Sequence, residues 1–186
     1  MMPTPSGPDG AHASSLRLTR ASAAALSAIL FVLGCAQPAL VLYNTGTGKE
    51  DSMWGMTLLL TGWLGVFLMQ GGWFANPLLL LTLTLLLMGR YRGAYWTGVV
   101  TVLFGLSTLS WYLYSIPADE GGSPDRQLEL LHPTFGYFFW MGSLLVGPAS
   151  AAILGRKEAA RKNDDAALQG AMGLGAGGDP PGQSRL

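Results

Sequence analysis

The chain has 186 residues, 11 Lys+Arg against 11 Asp+Glu, and only 12% charged side chains, about half of the ~25% usual in soluble domains. The charges are also gathered: residues 21–48, 52–89, 93–118 and 130–155 carry none, and those four stretches hold 118 of the 186 residues. Helices without a charged face have no surface to show to water. The pattern excludes a soluble globular enzyme, a disordered chain and a nucleic-acid binder, which would need a basic patch. It predicts an all-α integral membrane bundle of about five hydrophobic helices.

Residues 1–20, rich in Pro, Gly, Ser and Ala, read as a disordered N-terminal tail. The transmembrane domain is expected over residues 21–154. Its first helix takes residues 21–43, with Pro38 bending the last turns and Tyr43 at the interface. Val32-Leu33-Gly34-Cys35 has the form of a lipoprotein cleavage box. The apolar run continues past it through Ala39–Tyr43, so Cys35 reads instead as an apolar residue inside the helix. It is the single cysteine, and no intramolecular disulfide is possible.

The stretch 52–89 is too long for one crossing. Its 38 residues would measure ~57 Å against a hydrocarbon core of ~30 Å. The break is expected at Gln70–Pro77, with Asn76 capping a new helix and Pro77 as its first residue. This gives helices over residues 53–69 and 77–91. The second of these is short, so four full crossings plus a re-entrant helix is the alternative. A fourth helix is expected over residues 94–114, an external loop over 116–135, and a fifth helix over 136–154 with a kink at Pro148. Residues 155–186 read as a basic, then Gly/Pro-rich, cytoplasmic tail.

Basic residues set the topology. Arg90 and Arg92 are two crossings away from Arg156, Lys157, Arg161 and Lys162, so these six share a side, the cytoplasmic one. Five crossings place seven basic residues inside and three outside. Four crossings with a re-entrant helix bring Arg17 and Arg20 inside and leave Lys49 and Arg126 outside, eight against two.

Apart from Arg90, which closes the third helix, no Asp, Glu, Lys, Arg or His lies in a predicted crossing. Proton-coupled carriers, voltage sensors and intramembrane proteases need such groups. Gln37 and Gln70 are the polar residues with capacity to coordinate a solute, and interhelical hydrogen bonding is their commoner use. Small residues recur every four positions at Gly147, Ala151 and Gly155, and at Thr97, Thr101 and Gly105. Such stripes let helix backbones approach closely, so these six are read as helix-packing residues. In the loop, Ser123-Pro124-Asp125 is expected to start an interfacial helix that continues to His132. Glu129 and His132 would share its face. With Asp119 or Glu120 they are the weak candidates for a metal site or an acid–base pair. A solvated, capped helix explains them as well. No catalytic or cofactor-binding residue is assigned.

The run Gly62-Trp63-Leu64-Gly65, then Trp73-Phe74-Ala75-Asn76-Pro77-Leu78-Leu79, then Gly89-Arg90-Tyr91-Arg92, followed after one crossing by Ile116–Glu120, resembles a pattern of small bacterial polytopic inner-membrane proteins. The resemblance implies a bacterial cytoplasmic-membrane location and carries no functional residues. The expectation is a non-enzymatic accessory or scaffold component of a membrane assembly. Its partners would be the lipid bilayer and either itself or another membrane protein, without cofactor or nucleic acid. The alternative is a small transporter or channel for an uncharged solute.

Overall fold

Mean hydropathy is +0.34, and the apolar residues are long enough in run to build helices that need no aqueous face. The structure is a computed structural model and describes residues 8–68, 71–113, 116–117 and 127–175. Two units divide the chain, Met1–Ala152 and Ile153–Leu186. Elements follow in the order α1 (Pro8–Cys35), β1 (Pro38–Asn44), β2 (Lys49–Trp54), α2 (Gly55–Thr61), α3 (Ala75–Leu87), α4 (Tyr91–Ser107), β3 (Ile116–Pro117), β4 (Gln127–Pro133) and α5 (Phe135–Gly175). Short 3-10 turns at Gly62–Leu68, Gly72–Phe74 and Thr108–Tyr112 link or extend them.

Two helices, Ser14–Cys35 and Phe135–Gln169, are long and apolar enough to cross a membrane, and two shorter apolar helical stretches cover Gly55–Gly65 and Gly72–Leu87. The all-α expectation is corrected by a four-stranded antiparallel sheet in the order β2-β1-β4-β3. The helix expected to reach Tyr43 ends at Cys35. Pro38 has no N–H to continue it, and the Leu40-Val41-Leu42-Tyr43 run suits a pleated surface. Once extended, β1 pairs on both edges, with Tyr43 between Glu50 and Glu129. Leu40 and Leu42 point inward and are fully buried. The β1–β2 turn is closed by Asn44, whose Oδ1 accepts from the N–H of Gly46 (3.0 Å) and Thr47 (3.2 Å), and by Gly48 at φ +69°.

Residues 8–20 are helical instead of a disordered tail, and α5 continues to Gly175 through part of the expected Gly/Pro-rich tail. The helices expected over 53–69 and 77–91 also shift. Met53 and Trp54 belong to β2, and the helical stretch that follows turns back on itself. The Trp73 indole N–H donates to the Leu59 carbonyl at 2.9 Å, and its ring covers Gly62. Residues fourteen apart in one straight helix would be separated by ~21 Å, so α2 and the start of α3 lie side by side.

Within the first unit α5 runs antiparallel to α1 and α4 and parallel to α3, which it meets at Asn76–Trp140 and Thr82–Gly147. Gly34 of α1 meets the backbone of α5: a Cβ there would stand 2.9 Å from the Trp140 nitrogen. Ser27 donates to the Ser143 carbonyl at 2.9 Å. α3 returns to the Arg20 end of α1, where Gly89, at φ +76°, faces the Arg20 guanidinium. Arg20 Nε donates to the Tyr91 hydroxyl at 2.7 Å, with its guanidinium carbon 5.0 Å from the ring centre. α4 then runs back beside α3, bringing Thr82 within 3.2 Å of Thr97 and 3.4 Å of Thr101.

A few hydroxyls are buried beside the apolar core of Leu79, Leu86 and Leu144, and large apolar side chains also cover the outside. Ser27, Thr82, Thr101 and Ser143 are fully buried, while Ile29, Leu80, Leu103 and Leu145 are each at least half exposed. Each buried hydroxyl is satisfied, mostly by a carbonyl one turn back, as with Thr101 on Thr97 (2.7 Å). In the second unit α5 is mostly exposed past Leu154 and carries the ion pairs Lys162–Glu158 (3.0 Å) and Arg161–Asp165 (3.8 Å), each worth a few tenths of a kcal/mol.

Candidate functional site

The inner face of the sheet does not close directly onto the helices. Between them lies a pocket of about 290 Å³. Leu40, Leu42 and Leu128 form its roof, because alternate residues of β1 and β4 point the same way. Phe31 and Cys35 at the end of α1 form one wall, Leu58 and Leu59 of α2 another. Tyr137 and Trp140 come from the first turns of α5, and Trp73 from the turn before α3. The aromatic rings support one another: Tyr137 and Trp140 stand 5.8 Å apart, Trp73 and Phe74 6.1 Å, Phe74 and Phe104 6.1 Å.

The polar atoms around this pocket are nearly all committed. Asn76 does not cap α3, which begins one residue earlier after a 3-10 turn. Its Oδ1 accepts from the Trp140 indole N–H at 3.0 Å, tying α3 to α5. Pro77 falls in the first turn, where the missing N–H has no intrahelical role. Thr134 donates its hydroxyl to the Pro38 carbonyl, holding β1 to the start of α5. Trp111, in the turn that extends α4, is the exception. Among the described residues its Nε1 is the one buried side-chain nitrogen or oxygen without a hydrogen-bond partner. An indole N–H only donates, so an acceptor is what this position lacks.

The sequence-derived metal candidates separate. Asp119 and Glu120 lie outside the described residues. Glu129 and His132 are in β4, a strand where a helix was expected. A bulge after Leu130 puts Glu129 opposite Tyr43 and His132 opposite Val41, both on the exposed face and in adjacent rows. Among the described residues, no group of three or more His, Cys, Asp or Glu is placed to hold a metal ion. Gln37 is exposed in the turn after α1, and Gln70 lies outside the described residues.

Gly147 and Gly105 sit at close helix contacts. A Cβ on Gly147 would stand 2.7 Å from Thr82 Cγ2, and one on Gly105 2.6 Å from a Leu144 methyl. Thr97 and Thr101 surround the Thr82 hydroxyl, Ala151 is buried, and Gly155 is half-buried. The pocket itself went unread in the sequence. Its one signal was a tryptophan near the start of α3 (Trp73), past the end of α4 (Trp111) and near the start of α5 (Trp140). Comparison of the chain with protein-family models, curated proteins and solved structures gives no match.

Proposed function

We propose that the protein is a non-enzymatic integral membrane protein of the bacterial cytoplasmic membrane. It crosses four times, through α1, α3, α4 and α5, and carries its sheet on the outer side. It serves as an accessory or scaffold component of a membrane assembly. The observation that carries the reading is the apolar exterior. Glycines and hydroxyls stand at close helix contacts such as Gly147–Thr82, while leucines, isoleucines and tryptophans cover the outside, the arrangement favoured where lipid is the solvent.

The Arg20–Tyr91 hydrogen bond supports the topology. It gathers Arg17 and Arg20 at the end that holds Arg90 and Arg92. With four crossings, Arg156, Lys157, Arg161 and Lys162 fall on that side too. The count of eight basic residues inside against Lys49 and Arg126 outside follows the positive-inside rule. Both termini are then cytoplasmic. α2 and its 3-10 continuation occupy the outer boundary without crossing. The transporter alternative has less support, because the hydroxyls of Thr82, Thr97 and Thr101 bond to one another and to their own helices.

The test is cysteine labelling in a Cys35→Ser background. Thr47→Cys is expected to react with a membrane-impermeant maleimide in intact cells, and Asp164→Cys only after permeabilisation. The reverse order, or equal labelling, refutes the topology. Flux of small uncharged solutes through reconstituted vesicles above the protein-free rate would favour the transporter instead.

A further inference from the structure

We propose that Arg20, held against Gly89 and Tyr91 at the cytoplasmic end of the bundle, binds the phosphate of an anionic glycerophospholipid from the cytoplasmic leaflet. The inference rests on the membrane reading above and adds a ligand to it.

The guanidinium is placed by two residues of the turn between α3 and α4. Its Nε donates to the Tyr91 hydroxyl at 2.7 Å, and its carbon stands 5.0 Å from the Tyr91 ring centre. Tyr91 itself is buried. The guanidinium also lies against Gly89, where a Cβ would stand 3.0 Å from each terminal nitrogen and where φ of +76° disfavours a side chain as well. The two terminal nitrogens are left over. Among the described residues neither has an acceptor, and neither is sealed from solvent. This planar fork matches two oxygens of one phosphate, which a lysine ammonium does not.

The surroundings carry charge of one sign. Arg17 lies one turn before Arg20 on α1, and Arg90 and Arg92 flank Tyr91 in the chain. All three are exposed, and none has an ion-pair partner among the described residues. No Asp or Glu occurs between Asp9 and Glu50, or between Asp51 and Asp119, so α1 beyond Asp9, α3 and α4 offer this end no carboxylate. A bound anion is what these arginines lack. The positive-inside rule accounts for their presence, but not for the hold of Gly89 and Tyr91 on one guanidinium.

Position selects the source of the phosphate. Leu87 and Met88, the two residues before Gly89, are exposed. Tyr95 and Trp96, one turn into α4, are exposed too, their rings edge to face at 5.4 Å. Exposed apolar side chains beside the arginines suit acyl chains, and such aromatic rings collect at the headgroup boundary. A free phosphate would meet the arginines and leave this apolar rim unused. A phospholipid meets both.

The experiment uses the full-length protein in a maltoside detergent, stripped of lipid. Palmitoyl-oleoyl phosphatidylglycerol and palmitoyl-oleoyl phosphatidylcholine are titrated in separate arms, and native mass spectrometry counts bound lipid. Glycerol 3-phosphate is the soluble competitor. The first phosphatidylglycerol is expected to bind about tenfold more tightly than phosphatidylcholine and to resist the competitor. Arg20→Lys keeps the charge and loses the fork, and should weaken phosphatidylglycerol binding about fivefold. Tyr91→Phe keeps the ring and releases Nε, and should weaken it about threefold. Lys162→Gln removes one charge from the second unit and should leave binding unchanged.

Equal affinity for the two lipids overturns the proposal. So does a folded Arg20→Lys or Tyr91→Phe protein that binds phosphatidylglycerol as the unaltered chain does. An equal loss in Lys162→Gln overturns it too, as the mark of net charge alone. Displacement of the lipid by glycerol 3-phosphate overturns the assigned source. Carbonate extraction of membranes carrying the protein separates the two levels. Release of the chain refutes the membrane reading. A chain that stays in the membrane and shows no preference for phosphatidylglycerol refutes the site alone.

Discussion

At the scale of single residues, space decides the outcome of substitution. A methyl on Gly98 would stand 2.7, 2.8 and 3.0 Å from the Cδ, Cβ and Cγ of Pro148. A proline ring in the middle of a helix has nowhere to swing, so either α4 or α5 must move. Gly98→Ala is therefore expected to destabilise the bundle by about 1–3 kcal/mol, the range for overpacked cores. Gly142→Ala is the control, since its nearest neighbour would be a Leu30 methyl at 3.7 Å, and it should be neutral. Thermal unfolding of the two variants in one detergent checks the contrast. Equal melting temperatures would contradict it. A second residue-scale prediction concerns Trp140. Trp140→Phe leaves Asn76 Oδ1 without its donor and should cost about 1 kcal/mol, read in the same assay.

At the scale of elements, the hinge between α1 and α2 is a backbone contact. Gly55 donates its N–H to the Gln37 carbonyl at 3.0 Å, and its Cα faces the Gly34 carbonyl with no room for a side chain. Gly55→Ala should detach α2 from α1 while leaving the other helices packed. Hydrogen exchange is expected to rise over residues 55–65 and to stay unchanged in α4; a uniform rise across the chain would contradict that separation. The same region shows how far the sequence could be read. The excess length of residues 52–89 announced a break, and Gly71-Gly72 and Pro77 marked its place. The partner of Asn76 was not legible, because it lies on α5. The sheet was missed for a physical reason. In a membrane context a short apolar run such as Ala39–Tyr43 fits a helix as well as a buried strand, and periodicity alone cannot separate them. Leu128, Leu130 and Leu131 similarly imitated one face of an interfacial helix until pairing with β1 made β4 a strand.

At the scale of the whole protein, the apolar exterior is the organising fact. The four charge-free stretches, visible at once in the sequence, become helix surfaces and the sheet's inner strands. The pocket is a consequence of combining both element types, since a twisted sheet set across helix ends leaves a gap that side chains alone do not fill. If lipid is the solvent, removing it should expose the belt that includes Leu80, Leu103 and Leu145 and cause aggregation. The most direct measurement is flotation of membranes carrying the protein after a wash in alkaline carbonate. The account predicts that the full-length chain rises with the vesicles. Recovery of the chain in the soluble fraction, monodisperse without detergent, would contradict it.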